Sequence, residues 1–407
     1  MHRFLIMAAY AVTLIFFVSF VSPILYAQEV KPRLNKSGPD AINKFCAGQG
    51  YPVKRRYVDP CARVGSFTAM HEIFSSSPIK KGNSVRALPY ADISMTDPKL
   101  TNLANVVLEN EPVTALLIWR RGKIHTEVYQ YDRKPTDLFI SFSMHKTVTG
   151  LLVDVALQNK KINSISDSVT DYLKFLRGTD WENVSIKNAL RMSSGLPVNQ
   201  REFLLPLLFK NKDRATLLKK IFNTQKAQAG ESFVYNDANT YVLGMLTEEV
   251  YRKTQGDLIS EFLWHKIGPE ADAAILTTKS GQHLVSASML ARPRDYLRLG
   301  LLILEDGLNY RGDQTISPIW IKGLFGQTKL SQECPFGRDC SDIEWGYSQQ
   351  AWLPPYPNTT ALIGKYGQLI LVSKDTDTVL VMLSVNDPKP IARSATIRSL
   401  LKYVSTE

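Results

Sequence analysis

Two β-hairpin patterns, one towards each end of the chain, constrain its fold more than any other feature. Residues 113–119 are a nearly unbroken apolar run, Arg121-Gly122-Lys123 is a turn, and residues 124–131 alternate. Ile124, Thr126 and Val128 fall on one face of that second strand, with His125, Glu127, Tyr129 and Tyr131 on the other. Such runs on either side of a Gly-containing turn predict a hairpin. Residues 369–373 and 378–385 repeat the pattern around Lys374-Asp375-Thr376-Asp377. A closing helix follows from Ile397, Leu400, Leu401 and Val404, spaced i, i+3, i+4, i+7. Between the hairpins, from about 145 to 330, the periodicity is mostly helical. A lone hairpin cannot bury its apolar face. The expectation is therefore an α/β (α+β) fold, with one antiparallel sheet formed by both chain ends, flanking helices and a helical subdomain.

The ends of the chain point to export. Met1-His2-Arg3 precedes eighteen uncharged residues, 4–21, and then Pro23 and Ala27. This reads as a signal peptide over 1–27, destined for removal on the way to the periplasm or cell envelope. Leu25 makes the cleavage motif imperfect, so an uncleaved membrane anchor is the rival reading. Residues 28–95 are polar and Pro-broken and read as an N-terminal extension, leaving 96–407 as the main domain. Cys46 and Cys61 are close in sequence, as are Cys334 and Cys340, and an exported chain meets an oxidising space. Two local disulfides are expected, although four cysteines allow three pairings. The net charge of +11 is scattered over 407 residues with no nucleic-acid-binding motif, which argues against nucleic acid. No metal set is visible, because there is no C-x-x-C and the six histidines never fall at ligand spacing.

Chemistry centres on S-x-x-K, which occurs three times. Ser77-Pro78-Ile79-Lys80 sits in a Pro-broken stretch, and Ser399-Leu400-Leu401-Lys402 lies inside the closing helix. Ser143-Met144-His145-Lys146 instead opens a helix marked by Val148, Leu151, Leu152, Val155 and Ala156. Spacing i, i+3 puts hydroxyl and amine on one face, one turn apart. A serine hydroxyl needs a neighbour to take its proton, and a desolvated lysine is one such neighbour. The positive helix N-terminus would favour neutral Lys146. On these residues alone, a capping serine beside a surface lysine is the better explanation of the stretch.

The flanking segments add a resemblance. Residues 138–146 resemble the nucleophile region of the serine β-lactamase and penicillin-binding-protein superfamily. The resemblance is closer to its class C-like branch of esterases, D-aminopeptidases and 6-aminohexanoate-dimer hydrolases. It continues in order through residues 166–173, 184–196 and 233–244, Arg294-Asp295-Tyr296-Leu297-Arg298-Leu299-Gly300, Trp345-Gly346-Tyr347 and Gly364-Lys365-Tyr366-Gly367-Gln368. It implies a β-lactamase/transpeptidase-like fold and an acyl-enzyme serine hydrolase without a cofactor. The nucleophile falls on Ser143, the lysine on Lys146 and the proton-shuttling tyrosine on Tyr235. The oxyanion hole falls on the backbone of Ser143 and of Gly364 or Lys365 on an edge strand. Lys365 either offers a cation to a substrate carboxylate or is simply an exposed strand lysine, and the sequence favours neither.

Two positions depart from the family pattern. Asp237 stands where the family has Asn or Ser, and the Lys-Thr-Gly element is replaced by Gly364-Lys365-Tyr366-Gly367-Gln368. Asp237, assigned here to substrate handling, would repel the carboxylate of a β-lactam and hold Lys146 protonated unless it turned outward. The substrate expected is a small or peptide-like ester or amide; a β-lactam or D-amino-acid peptide is the alternative. A catalytically silent envelope-binding protein is the rival of another class. Trp345, Tyr347 and Trp352 either line a pocket or fill the core.

Overall fold

The structure, a computed structural model, describes residues 58, 62–196, 200–220, 227–326, 331–332, 345–386 and 394–407. In chain order the elements used below are helix α1 (Arg63–Ile73), strand β1 (Ser76–Ile79), helix α2 (Pro98–Asn110), strands β2 (Val113–Arg120), β3 (Lys123–Tyr129) and β4 (Phe139–Ile140), and helices α3 (His145–Gln158) and α4 (Asp237–Tyr251). Strands β5 (Ala273–Leu276) and β6 (Met289–Ala291), helices α5 (Pro293–Leu304) and α6 (Pro318–Phe325), strands β7 (Gly346–Ser348), β8 (Ala351–Leu353), β9 (Thr359–Gly364), β10 (Gln368–Ser373) and β11 (Thr378–Ser384), and helix α7 (Ala395–Thr406) follow.

Both hairpins form, and they meet in one sheet. Its order is β3-β2-β11-β10-β9-β8-β7, antiparallel throughout, with Leu117 opposite Val381 where the two chain ends join. Arg121 and Gly122 turn the first hairpin with φ of 47° and 83°. Every residue of β2, β10 and β11 is buried, as expected of strands covered on both faces. On one face Leu116, Ile118, Leu371 and Leu380 pack with Leu100 and Val107 of α2 and Leu400, Leu401 and Val404 of α7. On the other, Leu117, Ile370, Val379 and Val381 join the larger core with Leu297 and Leu301 of α5. Each such leucine contributes about 1.5–3 kcal/mol when fully buried. Gly300 permits the close approach of α5, since a Cβ there would stand 2.4 Å from Val379 Cγ1.

The second strand departs from strict alternation. A register shift between Ile118 and Trp119 leaves Ile124 and Glu127 as the buried residues of β3. The buried Glu127 carboxylate accepts hydrogen bonds from Tyr90 and Tyr129, each at 2.6 Å, and from Arg294 Nε at 2.8 Å.

The boundary expected at residue 95 does not separate two packing units. Helix α1 buries Val64, Phe67 and Met70 in the main core, and β1 begins a four-stranded antiparallel sheet ordered β1-β5-β6-β4. Ala91 N–H donates to Ile124 O and Ile124 N–H to Pro89 O, so the following segment is tied to β3. The helical middle thus contains strands that pair with residues on its N-terminal side. Residues 1–57 and Cys46, Cys61, Cys334 and Cys340 lie outside the described residues, so the leader and both expected disulfides do too. Among the described residues no helix is long and apolar enough to cross a membrane.

Candidate active site

Ser143 sits where the small sheet hands the chain to α3. Ser141 N–H donates to Met289 O at 2.8 Å, and a single 3-10 turn, Phe142–Met144, leads directly into the helix. Phe142 adopts φ 44°, a left-handed conformation that costs a bulky side chain about 1–3 kcal/mol unless its surroundings enforce it. Ser143 is half-buried between the buried Phe142 and Met144.

One turn along α3, Lys146 is 1% exposed. Its Nζ donates to Asp237 Oδ1 at 2.6 Å, to Ser143 Oγ at 3.0 Å and to Ser286 O at 3.2 Å. These contacts match the three protons of an ammonium. Burial alone would depress this lysine, but the charge of Asp237, the Tyr235 hydroxyl and hydrogen bonds to both raise it above its ordinary range. Lys146 is therefore a cation at neutral pH, contrary to the neutral amine expected from the helix N-terminus. A diffuse half-charge is outweighed by a full carboxylate in van der Waals contact.

Asp237 begins α4, after Asn236 caps the helix by accepting from Asn239 N–H at 3.1 Å. It is turned inward and 3% exposed, with Oδ1 committed to Lys146. The residue assigned to substrate handling is instead the lysine's counter-ion. Tyr235, immediately before the cap, is buried, with Lys146 Nζ 5.0 Å from its ring centroid. Burial pushes its hydroxyl up and Lys146 pulls it down, with a net rise, so it is a neutral phenol at neutral pH.

Aromatic rings fix that phenol. Trp352 stacks on Tyr235 with centroids 5.5 Å apart and planes at 26°, and Tyr347 meets it edge-on at 5.9 Å. Tyr347 and Trp352 thus surround the site, whereas Trp345 packs in the core beneath α2 and α7. Their hairpin, β7–β8, turns on Gln349 and Gln350, with φ of 50° and 67°. The buried Gln350 side chain bolts it in place, accepting from Thr240 Oγ1 at 2.6 Å and donating to Ala189 O and Leu190 O.

The strand expected at the edge is not there, because β8 and β7 lie outside β9. The pairing of β8 with β9 is confined to Trp352 opposite Ala361, however, so it does not reach Gly364. A Cβ on Gly364 would stand 2.2 Å from Ser141 O and 3.1 Å from Phe142 Cβ. Glycine alone lets β9 press against the turn that carries Ser143. Lys365 follows, exposed, with Nζ 5.1 Å from the Tyr366 ring centroid.

Sequence reasoning thus brought Ser143, Lys146, Tyr235, Asp237 and Gly364 to one place. It missed the Ser286 carbonyl, which as a backbone group leaves no signature, and Gln350. His145 is fully buried and kept neutral, its titration lowered to about 3 by burial and by Lys146; its Nδ1 accepts from Ser288 N–H, not from the site. Among the described residues no group of three or more His, Cys, Asp or Glu side chains could hold a metal ion.

The sequence profile of the Beta-lactamase family matches residues 107–403. The chain belongs to the β-lactamase family. It is a serine hydrolase of that family, with a β-lactamase/transpeptidase fold. The 6-aminohexanoate-dimer hydrolase of Paenarthrobacter ureafaciens is 23% identical over 335 residues, covering 78% of this chain and 84% of that protein. A solved Bacillus anthracis protein assigned as a 6-aminohexanoate-dimer hydrolase superposes with a TM-score of 0.70 at 20% identity, covering 87% of this chain and 96% of that one. A class C β-lactamase solved in complex with cefoxitin gives a TM-score of 0.56 at 17% identity, covering 75% and 97%. The β-lactamase-family profile begins at residue 107, so α1 and β1 lie outside the matched stretch.

Proposed function

We propose that this chain hydrolyses an ester or amide bond of a small or peptide-like substrate, through an acyl-enzyme on Ser143, in the manner of a 6-aminohexanoate-dimer hydrolase. The observation that carries the reading is the 3.0 Å contact between Lys146 Nζ and Ser143 Oγ, beside the buried ion pair of Lys146 with Asp237. Because Lys146 donates to Ser143, it does not also take the serine proton. Tyr235 does so as a neutral relay. As Ser143 Oγ bonds to the substrate carbonyl carbon, its proton moves to Tyr235 Oη, and the phenol's own proton moves to the leaving oxygen or nitrogen. The bond to the leaving group then breaks. Lys146 stays an ammonium and stabilises the negative charge that develops on both oxygens. Water reverses the relay to free the acid. The N–H groups of Ser143 and of Gly364 or Lys365 are the proposed oxyanion donors.

A fluorophosphonate probe tests the reading. One equivalent should add to the wild-type chain at Ser143. Ser143→Ala should abolish labelling, while Ser77→Ala and Ser399→Ala should leave it intact. Labelling that survives Ser143→Ala would refute the assignment, and an unlabelled wild-type chain would make it a binding relative instead. The same reading includes export, with cleavage after Ala27 and disulfides Cys46–Cys61 and Cys334–Cys340. Intact mass and non-reducing peptide mapping of periplasm-expressed protein check both. A retained leader would indicate an anchored form, and free thiols would remove the bridges.

A further inference from the structure

Three aromatic rings meet directly beneath the reacting serine, and one of them comes from outside the stretch that the family profile matches. Phe67 of α1 lies 5.0 Å from Phe142 at 74° and 5.1 Å from Tyr366 at 53°; Phe142 and Tyr366 are 5.2 Å apart. All three are buried. Arg63, one turn before Phe67, stands 4.9 Å over the Tyr366 ring, and its NH1 donates to Val385 O and Asn386 O.

The two rings that Phe67 contacts belong to left-handed residues, Phe142 with φ 44° and Tyr366 with φ 66°. Bulky residues hold that conformation only where packing enforces it. Their positions in the chain give the strain its use. Phe142 precedes Ser143, so its peptide orients the Ser143 N–H. Tyr366 follows Gly364 and Lys365, so its backbone sets the end of β9. Gly364 is meanwhile pressed against Ser141 O. Both candidate oxyanion donors are thus held by backbone that would relax without a third ring.

We infer that Phe67 is a positioning residue for catalysis: α1 serves as a clamp that fixes the nucleophile turn and the oxyanion strand relative to one another. This rests on the assignment of Ser143 as nucleophile. The clamp touches no substrate. Its loss should lower the rate of acylation with little change in ground-state binding, because oxyanion donors act on charge that appears only in the transition state.

The experiment compares Phe67→Leu with Met70→Ala in the full chain. Met70 is also buried in α1, and its truncation to Ala removes more core volume than Phe67→Leu does, so it reports what destabilising the helix does by itself. With p-nitrophenyl butyrate, Phe67→Leu should lower kcat by about tenfold or more, as small misplacements of reacting groups do, with KM within about twofold. Its fluorophosphonate labelling at Ser143 should slow in parallel. Phe67→Tyr, which keeps the ring, should restore most of the rate. Met70→Ala should lower the melting temperature at least as far yet keep kcat near wild type below that temperature. Wild-type kcat in folded Phe67→Leu, or equal kcat losses in Phe67→Leu and Met70→Ala, would overturn the clamp. Either result leaves the nucleophile standing as long as the label still maps to Ser143. Should the label map elsewhere, the functional reading itself has failed.

Discussion

Lys146 Nζ lies 2.6 Å from Asp237 Oδ1, with the two side chains only 1% and 5% exposed. This chain has closed an ion pair around Lys146. Coulomb attraction at this range in a dry interior is large, and so is the cost of stranding either partner.

The pair predicts the pH behaviour. Lys146 is raised in the folded state, so the stability it contributes is fully present below the ordinary lysine range and is lost only as pH rises through the raised value. Wild-type kcat/KM should accordingly show no lysine titration between about pH 7 and 9. In Asp237→Asn the counter-charge is gone and burial, which lowers the lysine, prevails. A new pH-dependent limb should then enter that window. Asp237→Ala, which leaves a buried ammonium unpaired, should destabilise the fold by about 3–5 kcal/mol in urea titrations. An unchanged pH profile in a folded Asp237→Asn enzyme would mean that the pair does not control Lys146.

Substrate preference is the second consequence. The Lys146 ammonium beside Ser143 is already paired with Asp237 and offers no free charge to a substrate carboxylate, while a short neutral ester needs only the nucleophile, the relay and two N–H donors. Hydrolysis of p-nitrophenyl acetate or butyrate should be measurable and nitrocefin turnover poor, with Asp237→Asn narrowing the gap. A higher kcat/KM for nitrocefin than for the esters in the wild type would make the chain a β-lactamase.

A third expectation concerns Gly364. A Cβ placed 2.2 Å from Ser141 O must push β9 off the nucleophile turn. Gly364→Ala should cost about 1–3 kcal/mol of stability as an overpacking change. It should also lower kcat by about a hundredfold, the usual effect of a displaced oxyanion donor. Steady-state kinetics on the folded variant decide the matter, and a rate within about twofold of wild type would release Gly364 from this role.

The aromatic hairpin gives the fourth. Gln350→Ala removes bonds to Thr240, Ala189 and Leu190, and should cost about 2–4 kcal/mol, since buried polar groups are left unpaired. Because Trp352 and Tyr347 then lose their support, kcat should fall as Tyr235 wanders. Retained kcat with lowered stability would make the hairpin a structural element alone.

Several of these features were legible before any coordinates, and the reasons are physical. Apolar runs such as 113–119 and the i, i+3, i+4 spacing of Ile397, Leu400 and Leu401 reflect burial directly, so the main sheet and α7 could be read. The spacing of Ser143 and Lys146 was legible because one helical turn brings them together. Helix α1 was not, because it buries polar side chains as well as apolar ones. Ser66 Oγ donates to Ala62 O and Thr68 Oγ1 to Gly65 O, so they enter the core satisfied by their own helix and blur its periodicity. The Gln349-Gln350 turn was hidden for a related reason. It lacks the Gly, Asn or Asp that positive φ favours and is held by tertiary bonds. The lysine's charge state stayed open in the sequence, because the helix N-terminus favours the neutral amine and Asp237 the ammonium, and only packing decides which way Asp237 turns.

The joining of the two chain ends also sets a schedule for synthesis. Strand β2 is made early, with every residue destined for burial, yet its inner partner β11 is among the last strands to appear. At about 5–20 residues per second, β2 waits on the order of 10–50 s with one backbone edge open and the face away from α2 unshielded. Until Val381 reaches Leu117 the nascent polypeptide carries a sticky, half-paired hairpin, so its folding yield should depend on whatever holdase or translocation machinery covers that strand in the interval.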